Sequence, residues 1–146
     1  MKTKLNCVLL IDDDRATNFL HEMILNDMGC ADKIVAVEGA MEALDYLKSN
    51  VDGKHPQPDL IFLDINMPAM NGWEFLDEYE KLDDLEKGRF VLMMLTTSLN
   101  PDDRENANTL PIVAGFLSKP LTEEMVQDVL EKNFPNTKRY GDIKQF

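Results

Sequence analysis

The chain has 146 residues, 44% hydrophobic and 29% charged, a balance that suits one globular domain with one core and excludes wholesale disorder. A formal net charge of −12, with no Lys/Arg cluster to offset it, argues against direct binding to nucleic acid or to an anionic membrane. Lys2 and Lys4 before the apolar run Leu5–Ile11 resemble a short signal peptide. Asn6 interrupts that run, however, and three aspartates end it without a small-residue cleavage site. No apolar stretch approaches the roughly 20 residues needed to span a bilayer, so a cytoplasmic location is expected. Cys7 and Cys30 lack CxxC spacing and read as two small apolar fillers, neither a metal site nor a disulfide framework.

In chain order, Cys7–Ile11 is a short apolar run, expected to be a buried strand. From Asp14 to Met28, Ala16, Phe19, Leu20, Met23, Ile24 and Leu25 recur at helical spacing, and Gly29 closes the helix. Lys33–Val37 is a second strand and Glu38–Ser49 a second amphipathic helix, followed by a loop over Asn50–Pro58. Leu60–Leu63 is a third strand, Asn71–Leu82 a third helix and Asp83–Gly88 a polar connector. Phe90–Leu95 is a fourth strand. Pro101–Asn108 is a short polar helix with Pro101 at its first position. Ile112–Leu117 is the fifth strand and Thr122–Asn133 the last helix. Strands that are apolar throughout are buried on both faces. The expected fold is therefore α/β: a five-stranded parallel sheet, doubly wound, with helices on both sides. The nine methionines are scattered and read as core filling.

The polar residues cluster at the strand ends. Strand one ends in Asp12-Asp13-Asp14, strand three in Asp64, strand four in Thr96-Thr97-Ser98 and strand five in Ser118-Lys119-Pro120. In a parallel sheet all four groups share one edge, where ligands of such sheets bind. Two carboxylates about 5 Å apart repel by roughly 3 kcal/mol at an effective dielectric of 20, and Lys119 alone cannot neutralise three. A divalent cation can, and oxygen-only ligands suit Mg2+, or Mn2+, rather than zinc. Taken singly, Asp14 is a helix cap, Thr97 or Ser98 a helix start and Lys119 a solvated lysine. Taken together, an anionic nucleophile, a metal site, a hydroxyl and an ammonium are the parts of a phosphoryl-transfer site.

The segments VLLIDDD (8–14), PDLIFLDINMPAMNGWEF (58–75), LMMLTTS (92–98) and GFLSKP (115–120) resemble those of response-regulator receiver domains, over about residues 5–133. The second segment is long and specific. The resemblance implies a CheY-like, flavodoxin-like (βα)5 sandwich acting in a two-component system. It implies that Asp64 is the phosphoacceptor, with Thr96 and Lys119 binding the phosphoryl group. Asp13 would be a direct metal ligand, Asp12 a ligand through water, and Asn66 would offer its backbone carbonyl. Phe116 stands where the family keeps a switch aromatic, acting with Thr96. The donor would be a histidine kinase or a histidine phosphotransfer protein, and the face of the fourth helix, fifth strand and last helix would present the switch to a downstream protein of unknown identity. Asn66, Thr97 and Ser98 would tune dephosphorylation, and a short neutral Ser98 predicts a moderately slow return. Gly72 is expected to permit close backbone approach.

Residues 1–134 are expected to form the receiver and 135–146 a tail with no output domain, so that signalling passes through a partner. The protein would catalyse only its own phosphoryl transfer and dephosphorylation. A dehalogenase-like phosphatase would want Asp-x-Asp where this chain has Asn66. A phosphorylation-independent binding module would normally have lost an acid, the Thr or the Lys. A flavodoxin-like cofactor carrier would need a phosphate-cradling loop after strand one, which is absent from the sequence.

Overall fold

The computed structural model describes residues 4–87, 91–97 and 100–134. Five parallel strands, β1 (Leu5–Ile11), β2 (Ala31–Val37), β3 (Leu60–Leu63), β4 (Val91–Thr96) and β5 (Val113–Ser118), line up in the order β2-β1-β3-β4-β5. The order reverses between β1 and β3. The first crossover leads outward from β1 to β2 and the later ones run the other way, so a crevice opens beyond the ends of those two central strands. Six helices connect and follow the strands: α1 (Arg15–Met28), α2 (Ala40–Lys48), α3 (Gly72–Glu80), α4 (Asp84–Lys87), α5 (Pro101–Thr109) and α6 (Glu123–Asn133).

Alternation along the strands divides the interior in two. Leu9, Ile11, Ile61, Leu63 and Met94 face a cluster completed by α2, α3 and α5. Val8, Leu10, Leu60, Phe62 and Leu95 face the other, completed by α1 and α6. Full burial of such a side chain stabilises by about 1.5–3 kcal/mol, so the central strands anchor both layers. The two cysteines are buried and unpaired, as their sequence setting suggests.

The helix ends follow local chemistry. Asp14 caps α1 by accepting from Ala16 N and Thr17 N, and Gly29 ends it at φ 62°, a left-handed conformation that glycine adopts without a Cβ penalty. Asn71 and Glu74 form a reciprocal capping box at α3, and Thr122 caps α6. Asn100, not Thr97, caps α5, because its side chain reaches Asp102 N.

Four expectations need correction. Residues 83–88 are not simply a connector: Asp84–Lys87 make one helical turn, closed by Glu86 on the Asp83 N–H. β1 and β2 each begin two residues early, since Leu5 pairs with Ala31 and Cys7 with Lys33. The buried stripe of α1 is Asn18, His21, Leu25 and Met28, while Phe19, Leu20 and Met23 are exposed. Nor are all methionines core filling, for Met23 and Met41 are half exposed. No described helix is long and apolar enough to cross a membrane.

Candidate functional site

The end of β1 is locked to β3, where Asp64 N–H donates to Ile11 O at 3.0 Å, and to β2, where Asp12 N–H donates to Val37 O at 3.2 Å. This register brings Asp12 and Asp64 to the crevice at equal height. Both are almost fully buried, 4% and 5% exposed, whereas Asp13 points to solvent. One carboxylate oxygen from each of Asp12, Asp13 and Asp64 lies within 4.8 Å of the others. Three hard oxygens this close suit a divalent cation.

Lys119 comes from the opposite side, just past β5. Its Nζ makes an ion pair with Asp12 Oδ2 and lies 3.3 Å from Asp64 Oδ2. Its backbone N–H donates to Thr96 O at 2.9 Å, which ties the Lys119 segment to the end of β4, and the Lys119–Pro120 peptide is cis. Asp12 Oδ1 accepts from Asp14 N–H at 2.9 Å, so both oxygens of this buried carboxylate are engaged.

The electrostatics follow from burial and crowding. Burial pushes the Asp64 carboxyl above its ordinary range, Lys119 pulls it down, and Asp12 adds to the upward push; the Asn66 backbone N–H also stabilises the anion. Burial works against the Lys119 ammonium, yet its bonds to Asp12 and Asp64 together outweigh that cost and raise its pKa. Burial thus leaves the Asp64 carboxyl above its ordinary range, beside a lysine held protonated.

Thr96 ends β4, next to β3, and its side chain is fully buried. Thr97 is exposed, and Ser98 lies outside the described residues. Asn66 is exposed in the loop after β3. Phe116 is half-buried on the face built by α5, β5 and α6, with the Arg104 guanidinium 4.9 Å from its ring centroid. Arg104 carries no sequence signal of its own. A cation over an aromatic face is worth about 0.5–1 kcal/mol at an exposed site.

Gly72 closes the loop after Asp64. A Cβ there would lie 2.6 Å from the Asp64 carbonyl oxygen and 3.0 Å from Ile65 Cα, while Gly72 N–H donates to Ile65 O at 2.8 Å. Gly72→Ala must therefore push backbone against backbone. Its expected cost is about 1–3 kcal/mol in urea unfolding, because the Asp64 carbonyl has to shift. Parental stability in that variant would show that the loop has slack.

Comparison with known proteins places this architecture. The family model for the response regulator receiver domain matches residues 8–131. The chain is 28% identical over 125 residues to a probable methanogenesis regulatory protein, FilR2, of Methanothrix harundinacea, covering 86% of this chain and 79% of that protein. It is 31% identical over 97 residues to the response regulator Rcp1 of Synechocystis, covering 66% of this chain and 65% of that protein. The chain thus spans somewhat under two thirds of the length of some curated relatives it matches, Rcp1 among them. A crystal structure of a two component response regulator from Cytophaga hutchinsonii aligns with a TM-score of 0.78 at 33% identity, over 88% of this chain and 96% of that one. The Mn(2+)-bound form of Rcp1 aligns with a TM-score of 0.66 at 27% identity, over 90% and 94%.

The chain belongs to the response-regulator receiver domains of two-component signalling, a family of CheY-like regulatory domains that accept a phosphoryl group, bind a divalent metal and work with histidine kinases and downstream effectors.

Proposed function

We propose that Asp64 is the phosphoacceptor and that its donor is the phosphohistidine of a histidine kinase or histidine phosphotransfer protein. The observation that carries this is the position of Asp64: a buried carboxylate with raised basicity, 3.3 Å from a lysine and within a three-acid cluster at the switch in strand order. In the transfer, an Asp64 oxygen forms a bond to phosphorus as the phosphorus–nitrogen bond of the donor breaks. The imidazole nitrogen keeps the electron pair, and Asp64 becomes an acyl phosphate.

Asp12, Asp13 and Asp64 would hold Mg2+, with the Asn66 backbone carbonyl as a further ligand. The ion would supply charge neutralisation for the incoming phosphoryl oxygens. Lys119 is already beside Asp64 and pairs with the new phosphoryl group, while the Thr96 hydroxyl donates to it. The transfer replaces one negative charge on Asp64 by about −1.5 to −2 on a group that projects further. Lys119 must then divide itself differently between Asp12 and the phosphoryl group. That redistribution reaches β5 through its own backbone and shifts Phe116, which already lies beneath Arg104, changing the α5–β5–α6 face that a partner reads. This is a shift between two populations, effective only if the partner binds them unequally. Thr97 and Ser98, with Asn66, would set the rate of hydrolysis.

The test is incubation with a small acyl phosphate, with and without Mg2+, read by intact mass. One added phosphoryl group on the parent, absent without the metal, is expected. No label on a folded chain would refute the reading. A pull-down with and without beryllofluoride then isolates the protein that distinguishes the two states.

A further inference from the structure

Helix α1 buries two polar side chains that phosphoryl transfer does not use directly, one bonded to the backbone of Asp12 and the other to backbone two residues past Lys119. Asn18 donates its amide to Asp12 O at 2.9 Å and to Val37 O at 3.1 Å, pinning α1 to the ends of β1 and β2. His21, one turn further on, is 2% exposed. Its Nε2 accepts from the backbone N–H of Leu121 at 3.2 Å, a bond between residues 100 apart in sequence. A ring whose Nε2 accepts carries its proton on Nδ1. Leu121 is 1% exposed, so its N–H is shut off from bulk water and depends on that acceptor.

Two bonds therefore hold the turn from Lys119 to Leu121. Lys119 N–H donates to Thr96 O, and Leu121 N–H donates to His21. Between them lies the peptide that aims the Lys119 ammonium at Asp12 and Asp64. Close packing does not replace these bonds on the α1 side. A cavity of about 10 Å³, room for about one water, is lined by Asp12, Asn18, His21 and Asp64. Asn18 Oδ1, which is buried, finds no hydrogen-bond partner among the described residues.

We propose that His21 is a positioning residue for phosphoryl transfer: by accepting the Leu121 N–H it fixes the segment that delivers the Lys119 ammonium to the phosphoacceptor. The proposal rests on the reading of Asp64 given above. A histidine that merely fills the core would affect stability and leave the rate of transfer alone.

The test compares the parent with His21→Met and His21→Gln in initial labelling by a small acyl phosphate at saturating Mg2+, with urea unfolding in parallel. Met fills the space without an acceptor for an N–H of this kind, and Gln places a carbonyl oxygen near the Nε2 position. His21→Met is expected to lower the maximal labelling rate about tenfold or more with the donor KM within about threefold, and His21→Gln to return within about threefold of the parent. Parental labelling by a folded His21→Met overturns the proposal, as does a folded His21→Gln no faster than His21→Met. If His21→Met does not fold, long-range 1H–15N NMR of the parent decides. A neutral ring protonated on Nδ1, together with slow exchange of the Leu121 amide, supports the strap, and a proton on Nε2 overturns it. A folded parent that takes no label refutes the phosphoacceptor reading instead, and the NMR experiment then decides the His21–Leu121 bond independently.

Discussion

Asp64→Asn is expected to abolish phosphoryl labelling completely while the fold survives. The amide that replaces the carboxylate is the same size and sits in the same crevice, but its oxygen is not nucleophilic. Burial already disfavours the Asp64 anion, the largest influence on its pKa. Removing that charge leaves Lys119 paired with Asp12 alone, a balanced pair. The urea midpoint at neutral pH is therefore expected to equal or exceed the parent's. The sign follows from linkage. A carboxyl whose folded pKa lies above its unfolded one binds protons more tightly when folded. Its cost to stability is absent in acid and grows as pH rises through the folded pKa. The difference between variant and parent should thus vanish at low pH. Intact-mass labelling together with unfolding at two pH values checks all of this. A retained phosphoryl group would move the acceptor to another acid of the cluster, with solvent-exposed Asp13 the first to test.

Lys119→Met is expected to have the largest effect on stability. Lys119 is 12% exposed at its side chain and is the cation seen to contact both buried carboxylates. Without it, Asp12 and Asp64 face each other uncompensated. Breaking a buried pair by removing one partner costs about 3–5 kcal/mol. The loss should appear in urea unfolding at neutral pH and shrink in acid, where Asp64 protonates readily. It should also shrink when Mg2+ is added, because a cation bound only by the folded form stabilises it by mass action. In the parent, the raised Lys119 pKa has the opposite sense. Its stabilisation is complete below the ordinary lysine pKa and is lost as pH rises through the folded value. A Lys119→Met chain as stable as the parent in the absence of divalent ions would show that the carboxylates are not electrostatically coupled.

The central strands were legible because burial on both faces leaves an uninterrupted apolar run, and Leu60–Leu63 falls where the sequence puts it. The site was legible because its parts lie at the ends of those runs. What could not be read has physical causes. The turn Asp84–Lys87 buries no side chain, so it leaves no apolar period to detect. The early start of β1 is supplied partly by the Asp59 carboxylate, which accepts from Asn6 N–H at 2.6 Å, a contact across 53 residues. Helix α1 misled because Phe19, Leu20 and Met23 carry the hydrophobicity while Asn18 and His21 carry the burial. The signal was present: 18, 21, 25 and 28 share one helical face. Polar residues on the face of Leu25 and Met28 are there for bonds, and only the tertiary partners, Asp12 O, Val37 O and Leu121 N–H, say which.

The two separate apolar clusters on either side of the sheet would, under the proposed mechanism, serve as a stator and a rotor. The layer of α1 and α6 is fastened to the site's backbone by Asn18 and His21 and has reason to stay still. Phe116 packs against the other layer, beneath Arg104 of α5, the most polar helix of the five that span two turns or more. Under the proposed mechanism, a change of charge at Asp64 reaches the partner-reading face through β5 and α5, with α6 as its fixed border. Substitutions in the α6 core should lower the stability of both signalling states alike, and those beneath α5 should change the ratio between them.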